Sequence, residues 1–165
     1  MPTLPAPGFA GDDGSVSREL HEALTRYDTD PATRYDETLA VLQDQRLLVP
    51  VVAVLGETEQ DGRGLAHDKT SDMAAVLMKG RDGRTALLAF TGTESLHRWD
   101  PRARPVPVTA SDAARAAVQD GADALVVDVA GPVLFAVESD DLRELAQGHR
   151  LVRVSDRYGW ARPPR

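Results

Sequence analysis

Asp128 stands near the end of the run Leu125-Val126-Val127-Asp128-Val129, where an aliphatic residue would be expected. Burial disfavours the ionised form of a carboxyl group and raises its pKa, which is how a general base is tuned. Asp128 is therefore a candidate base or ligand at a strand end. The alternative, which the sequence favours, is a structural carboxylate. It would accept backbone N–H groups of the turn around Ala130-Gly131-Pro132, as short Asp side chains often do. His67, Asp68 and Asp72 lie close together in sequence. One imidazole and two carboxylates can hold a transition metal, but these three sit on a Gly-rich segment without supporting residues to orient them. No metal and no cofactor is expected. His97 and Asp100 are spaced to form a base and its orienting carboxylate, yet no motif supplies a nucleophile, so a surface polar pair is the expected reading. Asp72, His97 and Asp128 are the candidate functional polar residues.

The chain has no G-x-S-x-G elbow, no P-loop, no G-x-G-x-x-G after a strand and no H-E-x-x-H. Gly62-Arg63-Gly64 lacks the strand–turn–helix frame that cradles phosphate. With no cysteine, disulfides, thiol nucleophiles and thiolate-bound metals are excluded. The net charge of -7 argues against broad nucleic-acid binding, which needs a basic face. The exception is the end of the chain, where Arg150, Arg153, Arg157, Arg162 and Arg165 interleave with Tyr158 and Trp160. Charge plus stacking can hold RNA. A loose basic tail with one aromatic tucked back is the expected form. No apolar run reaches the roughly 20 residues of a membrane span, and no signal peptide is visible at the start, so a cytoplasmic location is expected.

Several elements can position these residues. Residues 1–14 are rich in Pro, Gly and Asp and read as a disordered leader. Residues 15–152 read as one domain and 153–165 as the tail. Apolar spacing predicts a helix from Val16 to Tyr27. A second is predicted from the Asp30-Pro31 cap to about Gln45. Together they form an αα-hairpin. Leu47 to Leu55 is a near-continuous aliphatic run, the mark of a strand covered on both faces, with an edge or bulge expected at Pro50. Gly56 to Ser71 reads as a polar loop.

Next comes the most structured block, Met73 to Trp99. Two apolar runs flank the turn dipeptide Asp82-Gly83. Thr91 and Glu94 have capping-box spacing ahead of a short helix that ends at Asp100-Pro101. Ser111 or Asp112 is expected to cap an alanine-rich helix ending at Gly121. Ala124–Val129 and Val133–Val137 read as strands joined through Gly131-Pro132. Ser139 is the expected cap of the last helix, closed by Gly148, and Leu151-Val152 adds a short strand. Strand pairs joined as hairpins disfavour a purely parallel sheet. The expected class is α+β: a mixed, largely antiparallel sheet with helices packed on it, preceded by the αα-hairpin.

Four stretches carry a resemblance to a known family. They are Leu47-Leu-Val-Pro-Val-Val-Ala53, Asp72-Met73 leading through the hairpin to Ala89-Phe90-Thr91, Arg104-Pro-Val-Pro-Val108, and Asp123-Ala-Leu-Val-Val-Asp128 with Ala130-Gly-Pro132. In this order and spacing they resemble the N-terminal domain of the SseB family, bacterial proteins named for enhanced serine sensitivity. The resemblance implies a fold but brings no established activity and no catalytic motif. The expected function is a non-catalytic intracellular module that contacts an unidentified protein partner. One alternative is a small-molecule binding domain or enzyme using Asp72, His97 or Asp128. The other is a translation-associated protein that touches RNA through the basic tail.

Overall fold

The computed structural model describes residues 9–53 and 73–164. The αα-hairpin opens the described chain. Helix α1 spans Arg18–Thr29 and α2 spans Pro31–Leu42. Ser17 caps α1 by accepting the Leu20 N–H. Asp30 is the N-cap residue of α2, with Pro31 in the first turn as expected, but its side chain makes no bond to the helix backbone. It pairs with the Thr33 hydroxyl instead. Leu20, Ala23 and Leu24 of α1 and Leu39 and Leu42 of α2 are buried.

Strand β1 is Arg46–Ala53, β2 Met73–Ala75, β3 Leu77–Lys79 and β4 Thr85–Ala89. Helix α3 is Thr93–Trp99, β5 Arg104–Thr109 and α4 Ala110–Gln119. Strand β6 is Ala124–Val127, β7 Phe135–Glu138, α5 Ser139–Ala146, β8 Arg150–Val154 and β9 Arg157–Ala161. Among the described residues the strands form three sheets, ordered β2-β1-β5, β3-β4-β6-β7 and β8-β9. Every pairing is antiparallel except β4 with β6. The class is α+β, as expected, although three sheets replace the one. Among the described residues no helix is long and apolar enough to cross a membrane.

Both faces of the central strands are covered, which is why their sequence is almost wholly apolar. In β4, Leu87 and Ala89 face the main core while Leu88 faces the second; Phe90, just past the strand, joins it there. The αα-hairpin, α4 and α5 line the main core, and α3 seals the second with Leu96, assisted by Trp99. In β1, Leu47 and Val49 go one way and Leu48 the other. Leu48 and Phe90 exchange two backbone hydrogen bonds of 2.8 Å, a single bridge joining the first two sheets.

Pro50 was expected to mark an edge or a bulge. Instead β1 is the middle strand of its sheet. Pro50 lies between the bridge at Leu48 and the β2 pairing that begins at Val51, so no partner there needs its missing N–H. Pro105 and Pro107 belong to β5, an edge strand, where proline also discourages unwanted strand pairing.

Other local expectations are corrected. In the hairpin only Gly83 has positive φ (84°). Gly83 N–H donates to Gly80 and Gly80 N–H to Arg84, so the turn is wider than a two-residue Asp-Gly turn. Thr109, not Ser111 or Asp112, caps α4 by accepting the Asp112 N–H. Glu138, not Ser139, precedes α5.

The tail is not loose. Residues 153–161 belong to the β8–β9 hairpin. The Gln43 side chain donates to Leu151 O and accepts Leu151 N–H, both at 2.8 Å. Trp160 Nε1 donates to Asp141 at 3.0 Å. The leader is also anchored in part, for Asp12 is held by Arg46. The expected loop Gly56–Ser71 lies outside the described residues.

Candidate functional site

Strands β4 and β6 run parallel and in register, Ala89 opposite Val127. Beyond their carboxyl ends the chains part, one into α3 and the other into the turn at Asp128. A crevice opens at such a divergence. Asp128 takes φ 56°, a left-handed conformation that Asp tolerates better than most residues. Its carboxylate meets Thr91 across the crevice. Thr91 donates its backbone N–H to Oδ1 at 2.9 Å and its hydroxyl to Oδ2 at 2.7 Å. Ser95 stands behind Thr91, with its hydroxyl donating to Gly92 O at 3.1 Å.

Thr91, Ser95 and Asp128 are three of the four buried polar residues among those described; Thr38 is the fourth. The polar interior is therefore concentrated at one place, and that place is hollow. A cavity of about 320 Å³ lies over it. Its floor is Thr91, Ser95 and Asp128, and its apolar walls include Val16, Leu24, Pro132 and Val133. His21, Thr25, Glu94 and Arg98, all exposed, stand at its mouth. Burial pushes the Asp128 carboxyl above its ordinary range, against the opposing pull of the Thr91 hydrogen bonds, Ser95 and the more distant Arg98.

One wall is supplied by the segment preceding α1, which crosses the end of β4 as a strap. The Arg46 guanidinium fixes it. Arg46 Nε and Nη2 donate to Asp12 at 2.6 and 3.0 Å, Nη2 also donates to Ser15 O at 2.9 Å, and Nη1 donates to Thr91 O at 2.6 Å. Thr93 N–H adds a 2.7 Å bond to Gly14 O. The strap passes so close that a Cβ on Gly92 would lie 2.9 Å from Gly14 O and 3.0 Å from Val16 N. Only glycine fits there without displacing backbone.

Of the three candidate residues, only Asp128 is found in this site. Its partner is Thr91, 37 residues away, and not the turn that follows it. That bond also explains why Thr91 and Glu94 form no capping box. Gly92 is the N-cap residue of α3, and Glu94 faces Arg98 at 3.8 Å on the surface. His97 is exposed on α3 and does not line the cavity. Asp100 accepts the Arg102 N–H at 2.9 Å in place of orienting His97. Asp72, His67 and Asp68 lie outside the described residues. Among the described residues no group of three or more His, Asp or Glu side chains is placed to hold a metal. Sequence reasoning missed Thr91 and Ser95 as floor residues, and Arg46 and Gly92 as the strap's anchors. The one available signal was Thr91-Gly92 interrupting an apolar run.

Asp128→Ala should lower stability by about 1–3 kcal/mol, because two buried donors on Thr91 lose their acceptor. Asp128→Asn should lower it less, since an amide oxygen still accepts one of them. The two side chains also differ with pH. A carboxyl whose folded pKa is raised binds its proton more tightly in the fold, so its ionisation opposes stability above that pKa and the penalty is relieved as pH falls through it. The melting temperature of wild type minus that of Asp128→Asn should therefore increase from neutral pH to about pH 4. A difference that falls on acidification would show that the ionised form is the one the fold prefers.

The model of the SseB protein N-terminal domain matches residues 20–144. That stretch holds β4, β6, Thr91, Ser95 and Asp128, but neither the strap nor the β8–β9 hairpin. No curated protein and no solved structure matches the sequence. The matched residues run from α1 into α5 and make up most of the chain, which thus belongs to the SseB family through its N-terminal domain.

Proposed function

We propose that this chain is a non-catalytic, cytoplasmic module that works by contacting another protein, and that it receives a side chain of that protein in the cavity over Asp128. The observation that carries this is the cavity itself. About 320 Å³ is at the low end for small-molecule sites. It suits one large side chain, and anchors of protein interfaces typically fill such pockets. The chemistry around the cavity is that of a scaffold. Both Asp128 oxygens accept hydrogen bonds that tie two strand ends, and His97, the other candidate base, stands elsewhere.

A small-molecule binding domain is the second reading. Apolar walls over a few convergent polar groups also describe such sites. The RNA reading is weakened by the hairpin. Tyr158 and Trp160 pack partly buried against the core, and the Trp160 indole is turned to Asp141, so they do not form a stacking platform.

Affinity capture from native lysate, with mass spectrometry, tests the proposal when wild type is compared with Thr25→Trp. Thr25 is exposed on α1 at the cavity mouth, so an indole there covers the opening with little demand on the fold. A protein retained in stoichiometric amount by wild type and lost with Thr25→Trp is the expected result. Equal retention by both would remove the cavity from the interface. Retention of no protein would leave the small-molecule reading in its place.

A further inference from the structure

Asp128 presents an unresolved charge balance. It is 1% exposed. Its hydrogen-bond donors, the Thr91 N–H and hydroxyl, are neutral. Among the described residues no Lys, Arg or His nitrogen comes within 4.0 Å of its carboxylate. Arg98, the nearest candidate, is half-exposed at the mouth and faces Glu94 at 3.8 Å. A buried carboxylate without a counter-charge is energetically unfavourable unless a cation approaches. Each oxygen accepts one strong bond from Thr91, and an ionised carboxylate has about four acceptor sites. Acceptor capacity therefore remains. The cavity lies against this carboxylate, and Val16, Leu24, Pro132 and Val133 give it an apolar wall between the polar mouth and the floor.

We propose that the group received by the cavity is a primary ammonium on an apolar stem, with the ammonium donating to Asp128 and the stem lying against Val16, Leu24 and Val133. This rests on the reading that the cavity is the binding element, and it names the chemistry of the occupant. A lysine side chain of the partner has this form, a four-carbon stem ending in a compact charge with three donors. The net charge of -7 favours approach of a basic surface. A guanidinium fits less well, because its planar fork needs an open, bidentate carboxylate, and Thr91 already occupies one position on each Asp128 oxygen.

The test is a titration of the full chain, followed by the backbone amide signals of Thr91, Gly92 and Asp128. The probes are n-butylammonium and its neutral isostere n-butanol at neutral pH. n-Butylammonium should bind about tenfold more tightly or better, the factor expected when a hydrogen bond to a carboxylate becomes charge-assisted. In Asp128→Asn, checked for an unchanged fold by its amide spectrum, the preference should disappear while n-butanol affinity is retained. Equal affinity for the two probes in wild type would overturn the ammonium while leaving the cavity as a binding element. Preference persisting in Asp128→Asn would overturn the role of Asp128. Binding of neither probe would overturn the proposal. A third probe, a capped peptide with one lysine, separates the sources. Binding as tight as that of n-butylammonium supports the side chain of a partner, and markedly weaker binding supports a free amine in the same role.

Discussion

Arg46→Ala should destabilise the protein by about 2–4 kcal/mol and detach the strap that walls the cavity. Arg46 is only 11% exposed in its side chain, and it ties Asp12 and Ser15 of the strap to Thr91 at the end of β4. Truncation leaves two backbone carbonyls and a carboxylate without their donor. Lysine should not substitute, since a single ammonium cannot span the same directions as the guanidinium fork. The Arg46 hydrogen bond is also the main cause that holds the Asp12 carboxyl below its ordinary value of 3.8. A lowered folded pKa gives stability that is present above the unfolded value and is lost as pH falls through the folded one. The gap between wild type and Arg46→Ala should therefore narrow below about pH 4. Denaturant unfolding at neutral and acidic pH measures both effects. A loss under about 1 kcal/mol at neutral pH would reduce the clasp to an ordinary surface ion pair.

Phe135→Ala should have a still larger effect, about 3–5 kcal/mol. Phe135 is fully buried on β7, and it is where the αα-hairpin docks on the sheet. The Tyr27 ring meets it edge-on at 5.0 Å, and the Tyr35 ring stacks on it at 5.1 Å. Removing the ring opens a hole lined by two partly buried tyrosines that cannot readily close it. Phe135→Leu should lose much less, under about 1.5 kcal/mol from volume plus the ~0.5–1.5 kcal/mol that aromatic pairs add beyond area. Urea unfolding with an unchanged slope checks the order. If the alanine and leucine variants were equally stable, the aromatic contacts would be incidental to docking.

These sites differ in how far the sequence announces them. The αα-hairpin was legible because Leu20, Leu24, Leu39 and Leu42 recur at helical spacing and Asp30-Pro31 marks the junction. The two-sided burial of β1 and β4 was legible from unbroken aliphatic runs. Helix starts were less so. Thr91 has the spacing of a cap, but a carboxylate 37 residues away takes its donors. Thr109 takes the capping role ahead of Ser111 and Asp112 because the chain turns one residue after it. The β9 strand was missed because the exposed Arg157, Gly159 and Ala161 alternate with Tyr158 and Trp160, a pattern that also suits a solvated tail. Of the site, only Asp128 was visible, as an anomaly within an apolar run. Thr91, Ser95 and Gly92 are small residues that look like loop composition until the strap and β6 are placed beside them.

The parallel pairing of β4 with β6 has a further consequence, in the order of assembly. The β3–β4, β6–β7 and β8–β9 hairpins and the α1–α2 pair close over short stretches of chain. Thr91 and Asp128 must be brought together from 37 residues apart, and contacts so distant form only after a larger loss of chain entropy. By that entropy argument the floor of the cavity is expected to form after these local units. A chain halted before β4 and β6 meet would keep most of its local elements and have no place to receive a side chain. A partner of the kind proposed would therefore engage finished copies over partly folded ones.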